Sequence, residues 1–170
     1  EDDAYAFAAD LHAATSGGGV TFHERMTSAP GAAPRITLDL TAELPSLNRF
    51  LADPAHGVPL RGMVDVDGIA TGAAASGTLS LFPTDRGEAM VYTLDFRDDE
   101  GREWRLSGSK AATTRSPGQL LRALTRLDGV MSTSSTSPGM VFSVSIGPRE
   151  LARLLTSIRG RGFTAPRRAR

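Results

Sequence analysis

The stretch from Ala89 to Lys110 reads as one amphipathic β-hairpin, and it restricts the fold more than any other segment of the chain. Met90, Tyr92, Leu94 and Phe96 alternate with Val91, Thr93, Asp95 and Arg97 on its first arm. After the polar turn Asp98-Asp99-Glu100-Gly101, Trp104 and Leu106 alternate with Glu103, Arg105 and Ser107. Strict period-two alternation marks strands with one wet face and one buried face. Carried past Gly108, the same parity turns Lys110 to the inward face that holds Trp104, and Lys110 is the only lysine in the chain. The hairpin therefore predicts a β-barrel or sandwich with an apolar interior and a charge inside it.

Similar alternation recurs along the sequence. Val20 to Thr27 places Val20, Phe22, Glu24 and Met26 on one face, and Arg35 to Glu43 turns Ile36, Leu38 and Leu40 inward. Leu60 to Val66, Gly77 to Phe82 and Val130 to Thr136 read as further strands. Met140 to Ile146 closes the set after the turn Ser137-Pro138-Gly139, with Met140, Phe142, Val144 and Ile146 inward. Apolar spacings of about three and four predict helices over 3–14 (Tyr5, Phe7, Leu11), over 116–128 (Leu120, Leu121, Leu124, Leu127) and from Pro148 to Ile158. A helical turn is expected from Leu44 to Ala52.

About eight strands without sustained strand–helix alternation fit an antiparallel barrel, lipocalin-like in shape, better than a parallel α/β sheet. Eight strands close around a space that holds side chains or one small ligand; a sandwich core accepts the same alternation. The chain divides into a helix and glycine hinge (1–19) placed to act as a lid over the barrel mouth, the β-domain (20–158) and an arginine-rich tail (159–170).

Composition narrows the function classes. The 19 basic residues balance 19 acidic ones, so no global field attracts nucleic acid or an anionic membrane. Without cysteine there are no disulfides, thiolate metal sites or cysteine nucleophile, and a reducing cytoplasm suits the chain. No apolar run approaches the roughly 20 residues that span a bilayer, and Glu1-Asp2-Asp3 lacks the basic-then-apolar order of a secretion signal. His12 falls on the first helix, His23 has outward parity and His56 lies in a loop, a spacing unlike a zinc site. No Gly-x-Ser-x-Gly elbow is present, nor a Gly-x-Gly-x-x-Gly following a strand, so no cofactor is expected.

The order of several landmarks carries a resemblance. Phe22-His23-Glu24-Arg25-Met26 is followed by Leu51-Ala52-Asp53-Pro54-Ala55-His56 and Arg61-Gly62-Met63-Val64. Then come Gly77-Thr78-Leu79-Ser80-Leu81-Phe82-Pro83, Met90-Val91-Tyr92-Thr93-Leu94-Asp95-Phe96 and Leu106-Ser107-Gly108-Ser109-Lys110. Over roughly residues 20 to 158 this resembles an accessory domain of long bacterial chains that also carry a cholesterol-oxidase-like flavoprotein oxidoreductase of the glucose–methanol–choline type. The resemblance implies an association with sterol or lipid chemistry and a flavoenzyme partner. This chain departs from the family's Trp-Asp-Thr-Thr-Thr-like run before the last strands, reading Met131-Ser132-Thr133-Ser134-Ser135 instead.

Glu24 and Lys110 are the two charges with inward parity, and a charge in an apolar interior must find a partner or neutralise. An ion pair closing one barrel end accounts for them; so does a ligand-orienting or acid/base pair, with Tyr92 as a hydrogen-bond donor to a ligand. The set Phe22, Met26, Met90, Tyr92, Phe96, Trp104, Met140 and Phe142 reads either as solid core or as the lining of a ligand cavity. The expectation is a barrel that binds a hydrophobic small molecule such as a sterol, lipid or polyketide. The alternatives are a cofactor-independent cyclase or isomerase using Glu24, Tyr92 and Lys110, and a filled barrel that serves only as an interaction domain. Edge strands of an unclosed sheet would favour a homodimer.

Overall fold

The computed structural model describes residues 19–44, 50, 53, 56–81, 88–111, 125–133, 139–157 and 159–160. Eight strands follow one another: β1 (Val20–Ser28), β2 (Ile36–Leu44), β3 (Gly57–Val66), β4 (Ala70–Leu81), β5 (Glu88–Arg97), β6 (Glu103–Ala111), β7 (Arg126–Thr133) and β8 (Met140–Ser145). Helix α1 (Pro148–Ser157) and the two-residue strand β9 (Arg159–Gly160) end the described chain. Each strand pairs antiparallel with its sequence neighbour among β1 to β6 and β6 to β8. β1 then meets β8 through Thr27 opposite Ser145 and Ser28 opposite Val144, which closes an eight-stranded barrel. One continuous ladder replaces the two stacked sheets of a sandwich, and closure removes the free edges that argued for a dimer.

The seam between β1 and β8 is narrow. At its other end Val20 and Thr21 pair with β9, and α1 packs against β1. Leu151 turns toward the barrel core from this helix, whose first turn is held by the Leu151 N–H donating to the Gly147 carbonyl at 2.8 Å.

Two rows of inward residues cross the wall at its middle. One runs Val58, Leu79, Tyr92, Gly108, Gly129, Phe142; the next runs Leu60, Gly77, Leu94, Leu106, Met131, Met140. Leu79, Leu94, Leu106, Leu127 and Met131 are 0% exposed, so no water-sized gap touches them and the middle of the barrel is solid. The two ring-bearing residues of the first row are separated by glycines. A Cβ on Gly129 would sit 2.8 Å from Cζ of Phe142 and 2.6 Å from Cα of Gly108. On the opposite wall a Cβ on Gly62 would collide with the Asp39 carbonyl, so the strands approach there closely enough to coil the sheet.

Three segments differ from the alternation-based reading. β4 begins at Ala70, seven residues before the expected Gly77, because Ala70-Thr71-Gly72-Ala73-Ala74-Ala75-Ser76 holds no large side chain to show a period. β7 begins at Arg126, so the C-terminal end of the helix expected over 116–128 is strand. Leu127 satisfies helical spacing and inward strand parity alike, and pairing with Val144 decides for the strand. Arg159 and Gly160, placed at the start of the tail, form β9 and pair with β1. The expected N-terminal helix and hinge up to residue 18, residues 116–124 of the internal helix, 134–136 of the seventh strand and 161–170 of the tail lie outside the described residues. So do most of the helical turn expected from Leu44 to Ala52 and the expected strand residue Phe82.

Asp98 knots the β5–β6 turn. Its buried carboxylate accepts the backbone N–H groups of Glu100 and Arg102 at 3.0 and 2.8 Å, Arg102 Nε–H at 2.7 Å and the Trp104 indole N–H at 2.9 Å. Burial pushes this carboxyl up, but the hydrogen bonds from Trp104 and Arg102 and the Arg102 charge outweigh it and hold the pKa at about 2, against 3.8 unperturbed. A depressed folded-state pKa stabilises above the unfolded value and ceases to do so as pH falls through the folded one. Asp98→Asn is therefore expected to lower the urea midpoint at neutral pH and to flatten its fall between about pH 4 and pH 2. Parallel acid dependence in the two proteins would contradict the knot.

Candidate functional site

β1, β5 and β6 bring Glu24, Tyr92 and Lys110 to one point inside the barrel. Their parity puts them there: Glu24 lies between Phe22 and Met26 on β1, while the β5–β6 register runs unbroken from Arg97 opposite Glu103 to Met90 opposite Lys110. The three residues are 3%, 1% and 1% exposed. Lys110 Nζ pairs with Glu24 Oε1, and Tyr92 Oη–H donates to Glu24 Oε2 at 2.8 Å. Each carboxylate oxygen thus has its own donor. Nζ also lies 5.0 Å from the centroid of the Tyr92 ring, within cation–π range. Met90 Sδ lies 3.8 Å from Tyr92 Oη.

The surroundings bias these groups. Burial raises the Tyr92 phenol well above its ordinary value, reinforced by the charge of Glu24 and the hydrogen bond Tyr92 donates to it. Tyr92 is a neutral donor at every physiological pH. Burial lowers the Lys110 ammonium, while Glu24 works in the opposite direction. A carboxylate, a phenol and an amine easier to deprotonate than a surface lysine therefore converge, a set able to orient a polar group or move a proton.

The predicted lining residues do not form one site. Phe22 and Met90 lie toward the cluster's end of the barrel and are only partly buried. Met26 is fully buried beside it, and Phe142 shares the Tyr92 row beyond the two glycines. Met140 stands opposite Met131 in the solid row. Phe96 and Trp104 stack at 6.4 Å and 12° at the other end. Six residue steps along β6 separate Trp104 from Lys110, about 20 Å of strand. Solid layers intervene, so a ligand touching Lys110 does not touch Trp104.

His56 joins the cluster's end of the barrel without any signal from alternation. It precedes β3 with a left-handed backbone (φ 44°), and its carbonyl accepts the Leu81 N–H at 3.1 Å, extending the β3–β4 ladder. That places it on the row Leu81, Met90, Lys110 at the cluster's end. Its ring lies 5.1 Å from the Phe50 ring, and its buried Nδ1 has no hydrogen-bond partner. A lone loop histidine carries no period, so nothing in the sequence signals this placement. His23 points outward as its parity requires and meets Asp39 Oδ1 at 2.5 Å.

An open groove of about 870 Å³ lies at the Phe96–Trp104 end of the barrel, lined by those two residues together with Ala74, Asp95, Arg97, Glu103, Arg105, Ser132 and Thr133. Its charges pair with one another, Arg105 with Asp95 at 2.7 Å and Arg97 with Glu103 at 2.6 Å. No helix among the described residues is long and apolar enough to cross a membrane. No family model, curated protein or solved structure matches the chain.

Proposed function

We propose that the protein binds a hydrophobic small molecule (a sterol, lipid or polyketide) with its polar group at the Glu24–Tyr92–Lys110 end of the barrel. One observation carries this reading: three hydrogen-bonding groups, two of them charged, inside a barrel that apolar residues otherwise fill. A buried ion pair stabilises a fold little compared with apolar side chains of the same size, so its presence favours recognition over stability. The ligand lies against Phe22 and Met90, whose flexible thioether adapts to an irregular apolar surface, and displaces them to reach the cluster. The sequence resemblance to a domain accompanying cholesterol-oxidase-like flavoenzymes supports a role as accessory to such an oxidoreductase. Convergence of a carboxylate, a phenol and an amine also favours a second reading, a cofactor-independent cyclase or isomerase acting on the same class of molecule.

Native mass spectrometry of the purified protein, followed by organic extraction, tests the proposal. The expected result is a co-purifying apolar molecule, or stoichiometric uptake of a sterol, fatty-acid or polyketide probe. A clean unliganded mass and no uptake of any probe would overturn it in favour of a filled barrel.

A further inference from the structure

We propose that Lys110 is a covalent anchor that forms a reversible imine with an apolar aldehyde or ketone. The inference rests on the ligand-binding reading above and names the ligand's reactive group. It starts from how the chain distributes its cations. Among the described residues every other ion pair to a carboxylate uses arginine or histidine: Arg25, Arg97, Arg102, Arg105, Arg126 and His23. The single lysine of the whole sequence is the one placed inside the barrel. A guanidinium serves as well or better for a structural ion pair, whereas only lysine yields a nucleophilic amine on losing a proton.

The partners suit that reaction. Glu24, in contact with Nζ, takes the ammonium proton, leaving a neutral amine and a carboxylic acid. The amine lone pair attacks the carbonyl carbon, the C=O π pair moves to oxygen, and a proton shifts from nitrogen to that oxygen to give a carbinolamine. Tyr92, a neutral donor 2.8 Å from Glu24, is placed to hydrogen-bond the oxygen as charge builds on it. Glu24 then returns its proton to the hydroxyl, water leaves, and the nitrogen lone pair forms the C=N bond. The product is a protonated imine beside the Glu24 carboxylate, the charge arrangement of the resting ion pair. One water is released and no oxidant or reductant is consumed. Burial lowers the Lys110 ammonium and so eases the first step.

The test uses the wild-type chain, where Lys110 and the α-amino group are the only two primary amines. The folded protein is incubated with a long-chain aldehyde, an apolar ketone or the corresponding long-chain alcohol, each with sodium cyanoborohydride, and analysed by intact mass and peptide mapping. The expected result is a reduced adduct on Lys110 with both carbonyl probes, suppressed at least about tenfold by competing alcohol, while the alcohol itself binds without mass fixation. Noncovalent binding of the alcohol with adducts confined to the α-amino group would overturn the imine and leave the ligand-binding reading standing. No uptake of alcohol, aldehyde or ketone would overturn both.

Discussion

Glu24→Leu alone is expected to lower stability by about 3–5 kcal/mol, whereas Glu24→Leu combined with Lys110→Met is expected to recover most of that loss and to fall within about 1–3 kcal/mol of wild type. The single substitution leaves Lys110 at 1% exposure without its counter-ion and Tyr92 Oη with only the weak sulfur acceptor of Met90 at 3.8 Å. An uncompensated ammonium in that setting must deprotonate or drag water into the barrel, and either response costs free energy. The double substitution removes both charges and fills their volume with apolar side chains, leaving only the Tyr92 hydroxyl without its Glu24 acceptor. Chemical denaturation at neutral pH reads the difference directly. A single variant as stable as wild type would mean that the cluster is solvated rather than sealed.

Leu106→Ala is expected to cost about 2–5 kcal/mol through lost burial and the cavity left behind. Leu106 is 0% exposed and lies between its cross-strand neighbours Leu94 and Met131 in the solid middle row, where no water-sized space exists to absorb the change. Because the row lies between the cluster and the Trp104 end, the substitution should leave probe affinity at the cluster within about twofold. A urea midpoint unchanged by Leu106→Ala would show a loosely filled barrel, and a large affinity change would place the ligand in the middle instead.

Much of the fold was legible in the sequence because alternation marks the strands and their inner faces. Closure was not, since a sandwich accepts the same alternation and only the β1–β8 pairing decides it. Each strand with large residues at every second position shows its inner face, and parity alone turned Glu24, Tyr92 and Lys110 inward. Their meeting depends on β1 lying across the barrel from β5 and β6, which no local pattern encodes. The same limit explains why Phe96 and Trp104 were grouped with Tyr92. Parity assigns a face and says nothing of height along the barrel, and the two ends are separated by rows such as Leu94 and Leu106. The first half of β4 stayed silent because small residues carry no period. The start of β7 misled because Leu120, Leu121, Leu124 and Leu127 fit a helical stripe until the ladder to β8 is known. Asp98 read as a turn residue; its role as a four-donor knot depends on the Trp104 indole reaching back across the hairpin.

The most direct test of the account is the affinity of wild type and of the Glu24→Leu/Lys110→Met double variant for one apolar probe bearing a single hydroxyl or carbonyl. Removing both charges should leave the barrel folded, so stability and recognition separate in this pair. The account predicts saturable, stoichiometric binding to wild type and at least about tenfold weaker binding to the double variant, a loss of roughly 1.4 kcal/mol or more. Equal affinity in two folded proteins, or no binding to wild type, would contradict it.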